Sequence, residues 1–596
     1  MIQPPRGMSV GEAYELYRKD KLIVNRRYQR KLVWTTQEKQ ELIDSVLCKY
    51  PIPLILLADG DDGTYEIIDG VQRFNAFFDF IENQFPVNLN GDAFYFSVPD
   101  YTFAQGIAKK GIFTPYSDPD AKFLIQEQVS NFIYYQFPIS IYQTAKEEEV
   151  NEIFSRINSH GKHLSSQEVR QAGVTNAFSN LVREIASEIR GDVSKDILKL
   201  SEMPEISIDV RNPVSKYGII AEDTFWVKHG VLTASDLRNS EDEQVIADLI
   251  LSIVFDTPFG ASKERFDNYY GKGEKDLSNE VVLKINAYGY ENLKNDIKVV
   301  YSEIFHFSED YLAEKRLKNI LNPSAGGNPI KGDFYAVFMA YYHLMMRSNK
   351  IPFDYKGIVK SLTNIHASLT PGKKTITTDD RQKNIRKCIG LIEPYFKKTD
   401  STFRSSGSYM MDFQNYLNRS KIESANYDFK QGLYSLDPHK RSFNELFFEE
   451  KILHNIAALA NLGLNSTGRL FLGVTDKESD TLQVEKLDNL TNVPRIHGFG
   501  IVGLEREAKI RGVTLDQYVS FITDKISKSE LPSWLKTKLT KSIIPITLHG
   551  FTVLMIKVES SDEPVFYNDK LFVREGASCK EVKGSAIKDV FTLFKK

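Results

Sequence analysis

The chain has 596 residues, 42% of them hydrophobic and 26% charged, with a formal net charge of −3. At ~150 residues per domain that is room for about three or four globular domains, and it excludes a global basic field that would hold nucleic acid everywhere; any such contact has to be local. Three widely spaced cysteines, Cys48, Cys388 and Cys579, form neither a disulfide framework nor a zinc cluster and fit a reducing cytoplasm. The start, MIQPPRGMSV, lacks the apolar segment of a signal peptide, and no apolar run is long enough to predict a membrane span.

In chain order, residues 8–20 predict a helix capped by Ser9, with Glu12 three residues on. A short strand, Leu22–Val24, leads into Arg26-Arg27-Tyr28-Gln29-Arg30, a basic cluster that either faces phosphate or is a solvated turn. Thr36 to Leu47 is amphipathic, and Tyr50-Pro51-Ile52-Pro53 ends it because proline cannot continue a helix. Leu54–Leu57 reads as a buried strand beside Tyr65–Ile68.

The stretch YEIIDGVQRFNA, Tyr65 to Ala76, predicts a strand, a turn at Asp69-Gly70 and a helix over 71–83. A helix entered this way has free N–H groups at its positive end, where an anion is favoured. Gln72 and Arg73 lie there, so a phosphate or nucleotide site is one reading. The other makes Asp69 a helix cap and Arg73 a surface charge.

Phe85–Pro99 reads as a strand-and-turn insertion and Phe132–Tyr142 as aromatic β structure. Lys146–Arg156 predicts a helix with Glu147, Glu148 and Glu149 in its first turn, stopped by Asn158-Ser159-His160-Gly161. Ser165 and Glu168 form a capping box for the next helix. His160 and His163 have no partner acids at fixed spacing and make a weak metal set.

Three blocks carry a family resemblance: NRRYQRKLVWTTQEKQELIDSVLCKYPIPLILL from Asn25, Asp69-Gly70-Val71-Gln72-Arg73, and IFSRINSHGKHLSSQEVRQA from Ile153. In this order they resemble the DUF262 family, the ParB/sulfiredoxin-like N-terminal domain of GmrSD-type restriction systems. The family core usually reads DGQQR; here Val71 replaces one Gln. The resemblance implies a module of bacterial defence against phage or modified DNA that binds, and often hydrolyses, a nucleotide such as ATP or GTP. Asp69 is then the group acting on water or metal, Gln72 orients, and Arg30 and Arg73 hold phosphate. Gln29, Gly70, Arg156 and Asn158 complete the nucleotide site.

From about 175 to 400 the pattern is helical. An aromatic-rich helix with Val337, Phe338, Tyr341, Tyr342 and Leu344 follows the Gly/Pro-rich stop Asn322–Gly332, and its aromatics are most simply core packing. His366–Asp380 and Lys397–Ser408 read as loops or linker. The organisation expected is 1–174, 175–410 and 411–596.

In the last segment, Asn426–Lys430 reads as a strand with Tyr427 and Phe429 toward a core and Asp428 and Lys430 on the other face. An acid and a lysine so placed suit phosphodiester chemistry, the acid holding a divalent cation and the lysine offsetting phosphate charge. They equally suit an exposed strand face with one ion pair. A helix is expected over Phe443–Asn461, strands over Arg469–Val474 and Thr552–Val558, and Asp476 just past a strand end. Lys536, Lys538 and Lys541 before the strand Ile543–Leu548 are either a track for a nucleic-acid backbone or a solvated helix end.

Glu423 with Asp428-Phe429-Lys430, Ala457–Asn461, Gly473-Val474-Thr475-Asp476 and Phe572-Val573-Arg574-Glu575-Gly576 resemble the Schlafen/AlbA-2 domain over about 420–590. Some Schlafen proteins are RNases with three acids. The resemblance makes Glu423, Asp428 and Asp476 catalytic, metal-holding (Mg²⁺ or Mn²⁺) carboxylates, and Lys430 and Arg574 match further family positions, read as phosphate contacts. Here Asp428 stands where Glu is commoner, and Asn461–Gly468 is a longer loop than the family's Asn-Thr-x-Gly-Gly.

The whole is expected to be an α+β multidomain protein: a ParB-like α+β domain, a helical middle region and a Schlafen-like α/β domain. The function expected is a cytoplasmic anti-phage protein in which the nucleotide module controls a metal-dependent nuclease acting on RNA or DNA. It would answer a phage-derived trigger, and homo-oligomer formation stays open. Two other readings remain: a non-catalytic nucleic-acid-binding regulator, and a nuclease or NTPase residing in the first domain.

Overall fold

The computed structural model describes residues 4–26, 29, 31–60, 63–142, 165–171, 173–192, 197–209, 218–258, 260, 262–312, 315–370, 376–399, 409, 413, 416–417, 426–496, 498–548, 550–576 and 578–594. It is a mixed α/β chain in two compact units, Met1–Val300 with Phe307–Asp400, and Ser401–Lys596 with Tyr301–His306. No helix among the described residues is long and apolar enough to cross a membrane.

The first unit is built on a six-stranded mixed sheet. Its strands are β1 (Arg6–Ser9), β2 (Leu22–Asn25), β3 (Ile55–Asp59), β4 (Tyr65–Asp69), β5 (Gln136–Tyr142) and β6 (Ile197–Lys199), in the order β1-β5-β3-β4-β2-β6. β3 runs antiparallel to β4 and parallel to β5, with a register shift at Leu56/Leu57. Helices α1 (Val10–Arg18), α2 (Thr36–Leu47) and α3 (Val71–Ile81) pack into the same core, joined by the helices Thr102–Lys109 and Gln126–Ile133. α1 begins at Ser9, which accepts from the Glu12 N–H at 3.0 Å. α2 begins at a full capping box of Thr35 and Glu38. α3 buries Phe74, Phe77, Phe78 and Phe80, which makes it the core's largest apolar contribution. Residues 85–99 contain the hairpin Val87–Leu89 and Asp92–Tyr95.

The helical part of this unit includes α4 (Ser166–Gln171), α5 (Ala177–Arg190), α6 (Glu241–Val254) and α7 (Lys331–Tyr342). α7 is buried around its whole circumference from Asp333 on, so its aromatics do serve core packing. The linker expected at His366–Asp380 is shorter than its composition implies. Thr377 caps a helix over Thr378–Ile392, because its hydroxyl accepts the Asp380 N–H. Likewise Phe396–Lys398 is a strand paired with Lys350–Pro352.

The second unit holds a four-stranded sheet of β7 (Tyr427–Lys430), β8 (Thr467–Leu472), β9 (Ile543–Leu548) and β10 (Phe551–Glu559), in the order β7-β8-β10-β9. One face carries Leu470, Leu472, Leu554 and Ile556 against helix α8 (His454–Ala460) and the helices Leu515–Ser527 and Ser533–Leu539. The other face carries Tyr427, Phe429, Phe471 and Met555. The single helix expected over Phe443–Asn461 is instead a short turn at Glu445–Phe447, a π-helical stretch Phe448–Leu453 and then α8. The strand expected over Arg469–Val474 stops at Leu472. Gly473 has φ +104, a conformation only glycine adopts freely, and Val474–Thr475 joins a separate small sheet.

Candidate functional site

Two places gather the residues singled out by the sequence. In the first unit, Asp69 ends β4 and Gly70 turns the chain with φ +110. A side chain at Gly70 would meet Ile55 at 2.9 Å, so the corner requires glycine twice over. Asp69 does not cap α3. Gly70 is the N-cap, with no side-chain bond, and the Asp69 carboxylate instead accepts from Arg73 Nη2 at 2.6 Å. Nor is Arg73 a surface charge: it is buried, and Nη1 donates to the carbonyls of Pro53 and Leu54.

Gln72 is buried too. Its Oε1 accepts from the N–H groups of Val33 (3.0 Å) and Trp34 (3.2 Å), and its Nε2 donates to the Lys31 carbonyl at 2.8 Å. Gln29 donates Nε2 to the Ile67 carbonyl at 2.9 Å and to that of Ile68. The motif thus ties Gln29, residues 31–34, 53–54 and 67–73 around the start of α3. Asp69 keeps 39% of its side chain exposed, the open carboxylate of the group. Arg30, Arg156 and Asn158, like His160 and His163, lie outside the described residues.

In the second unit, Asp428 and Lys430 share one face of β7, the alternation expected, while Tyr427 and Phe429 pack in the opposite cluster. Asp428 Oδ2 lies 2.6 Å from Lys430 Nζ and 3.3 Å from Arg574 Nη1, and Oδ1 accepts the Phe429 N–H at 3.0 Å. Arg574 comes from the strand β11 (Lys570–Glu575), and its side chain is only 1% exposed. It also donates to Asn455 Oδ1 at 2.7 Å and to the Tyr427 carbonyl at 3.1 Å. Asn455, on α8, is held in turn by its own donation to the Lys451 carbonyl at 2.7 Å.

Cys579 sits opposite Arg574 on the neighbouring strand β12 (Ser578–Val582). Burial pushes its thiol up to about 11, against the opposing pull of the Arg574, Lys451 and Lys430 charges. The sequence reading missed Asn455, Lys451 and Cys579. Asn455 had a signal: it is a lone amide inside an apolar helical run, where an unpaired polar group is costly.

Glu423 lies outside the described residues. Asp476 follows the Val474–Thr475 strand and is exposed. Asp428 already has two cationic partners, and among the described residues no three His, Cys, Asp or Glu side chains gather as a cation site. The described donors therefore do not by themselves fit a divalent metal. The lysine patch is divided. Lys536 donates to the Ser529 carbonyl at 2.8 Å, Lys538 lies over the Trp534 ring and 3.7 Å from Glu559, and Lys541 is exposed. Asn461 is a staple, bonded to the backbone of Val565 and to the Phe572 carbonyl, where the loop 461–468 begins.

Comparison with known families agrees with this division. Residues 13–175 match the model of the GmrSD restriction endonuclease N-terminal domain, and residues 423–583 match the Schlafen AlbA_2 model. No curated protein and no solved structure gave a match. One chain thus joins a segment similar to the GmrSD restriction endonuclease N-terminal domain to a later segment similar to the Schlafen AlbA_2 domain.

Proposed function

We propose that the protein is a defence nuclease whose second unit cleaves RNA or DNA and whose first unit binds a nucleotide and regulates it. The observation that carries the reading is the Asp428–Lys430–Arg574 cluster, which β7 and β11 bring together within the segment matched to the AlbA_2 model. Lys430 is the more exposed of its two cations and is the one to meet a phosphodiester. Asp428 beside it is the group to orient the attacking oxygen and take its proton. Arg574 lies behind both, holding Asp428 and the β7 backbone, and acts as a positioning residue. The ParB-like character of the first unit, ATP or GTP at Asp69, Gly70 and the α3 start, and Mg²⁺ or Mn²⁺ at the second unit belong to the same proposal.

The test is a cleavage assay on the full chain. Labelled tRNA, unstructured RNA, single-stranded DNA and duplex DNA are each taken with Mg²⁺, Mn²⁺ or chelator, and with or without ATP or GTP. Cutting that falls at least about a hundredfold in Asp428→Asn supports the reading. Cutting that survives there and disappears in Asp69→Ala moves the nuclease to the first unit. A second reading, a binding regulator without catalysis, is favoured by the doubly paired state of Asp428. Tight binding of nucleic acid with no turnover under any condition would establish it.

A further inference from the structure

Helix α6 opens with Glu241-Asp242-Glu243-Gln244, and these four side chains reach four partners in the first unit, with Arg190 lying near both Asp242 and Glu243. Glu241 accepts from Lys331 at the start of α7 at 3.1 Å. Asp242 is fully buried and accepts from Arg190 at the end of α5. Glu243 lies 3.7 Å from the buried Lys31 Nζ. Gln244 accepts from Arg170 of α4 at 2.7 Å. Arg190 also donates to Asp192 at 3.2 Å, and Asp192 holds Arg26 by two bonds of 3.0 and 2.9 Å.

Two of these partners belong to the segments that build the nucleotide site. Lys31 offers its side chain to Glu243 and its backbone carbonyl to Gln72. One residue therefore spans from α6 to the Asp69–Arg73 motif. Arg170 stands on the helix that closes the third sequence block, and it is fixed further by Asp267 at 2.6 Å. The loop between these anchors is tied once more, by the Leu32 N–H to Ser207 Oγ at 2.9 Å. Buried polar networks of this kind hold one discrete arrangement, because each member left alone is costly.

We infer that the opening turn of α6 is the positioning element of the N-terminal site: Glu243, through Lys31, sets where Gln72 and the 31–34 loop stand. A ligand that shifts that loop is felt along α6 and, through Glu241 and Lys331, at α7. The ligand part of this inference rests on the nucleotide reading above; the positioning part does not.

The experiment compares the full-length wild type with Glu243→Gln and Lys31→Arg. Amide hydrogen exchange is read over 31–34 and 65–75, and ATP and GTP affinity by calorimetry. Glu243→Gln is expected to speed exchange at Val33 and Trp34 and to weaken nucleotide binding, each by about tenfold. Exchange in the second unit should stay unchanged. Lys31→Arg, which keeps the charge and the backbone carbonyl, should restrain the loop as the wild type does. Nucleotide bound to the wild type should slow exchange over 241–254. Loop exchange in Glu243→Gln equal to wild type, whatever the melting temperature does, overturns the inference. Wild type that binds neither nucleotide overturns the ligand reading alone, and loop exchange still decides the positioning.

Discussion

The two candidate sites use their polar residues in opposite ways. In the first unit, the signature residues are consumed in holding backbone. Gln72 bonds three main-chain groups, Arg73 bonds two carbonyls besides Asp69, and Gln29 bonds two more. In the second unit, the residues bond chiefly to one another: Asp428 to Lys430 and Arg574, and Arg574 to Asn455. A motif spent on backbone defines a shape into which a ligand's anion can fit at a helix end. A motif spent on mutual ion pairs stores charge that a substrate can redistribute. The first unit is accordingly the one whose geometry a mutation destroys, and the second the one whose reactivity a mutation alters.

That contrast can be broken by measurement. Gln72→Ala strands the N–H groups of Val33 and Trp34 and the Lys31 carbonyl, in a place water does not reach freely. It should cost about 4 kcal/mol of stability in denaturant unfolding. A loss under about 1 kcal/mol would show that the loop re-pairs and that the motif is not a scaffold. Arg574→Met keeps bulk but removes one of the two cations on Asp428 and frees the Asn455 and Tyr427 carbonyl oxygens. It should cost about 3 kcal/mol and lower cleavage more through kcat than through KM. A purely KM effect would instead make Arg574 a substrate contact.

The smallest effect is expected with acid. Although burial alone would raise it, Arg26 and Arg190 hold the Asp192 carboxyl well below the ordinary carboxylate range. A group depressed in the folded state adds stability that is complete above its unfolded pKa of about 3.9 and drains away as pH falls below that. Glu243 works the other way. Burial, the largest influence, raises its carboxyl against the pull of Lys31 and Arg190, so its share grows as pH falls. The two partly cancel, and Asp192→Asn should flatten the acid limb of the first unit's stability only modestly. An acid limb unchanged in that variant would show that the pairing of Asp192 with Arg26 and Arg190 does not contribute to acid stability.

Much of the scaffold was legible along the chain. The Thr36–Leu47 helix, the β4–Gly70–α3 corner and the alternation of Tyr427, Asp428, Phe429 and Lys430 all follow from local rules, namely capping, glycine's conformational freedom and the two-residue repeat of a strand. The misreadings are instructive because local rules were overruled by partners distant in sequence. Asp69 is a good cap by type, yet Arg73 and the Ile55 side chain against Gly70 leave the cap to the glycine. The Phe443–Asn461 run has helical periodicity throughout, but its Phe448–Leu453 portion winds as a π-helix. In that stretch, Lys451 supplies the carbonyl that holds Asn455, which faces Arg574.

By itself, then, the sequence determined the elements, the corner glycine, the two family motifs and the faces on which their side chains stand. These depend on neighbours within a few residues, where spacing and side-chain type are enough. Only the tertiary structure decided the partners: Lys31 with both Gln72 and Glu243, Arg170 with Gln244, and Arg574 with Asp428 and Asn455. A buried charge or amide must find its complement wherever folding brings one, and no local pattern states which residue 100 or 200 positions away that will be.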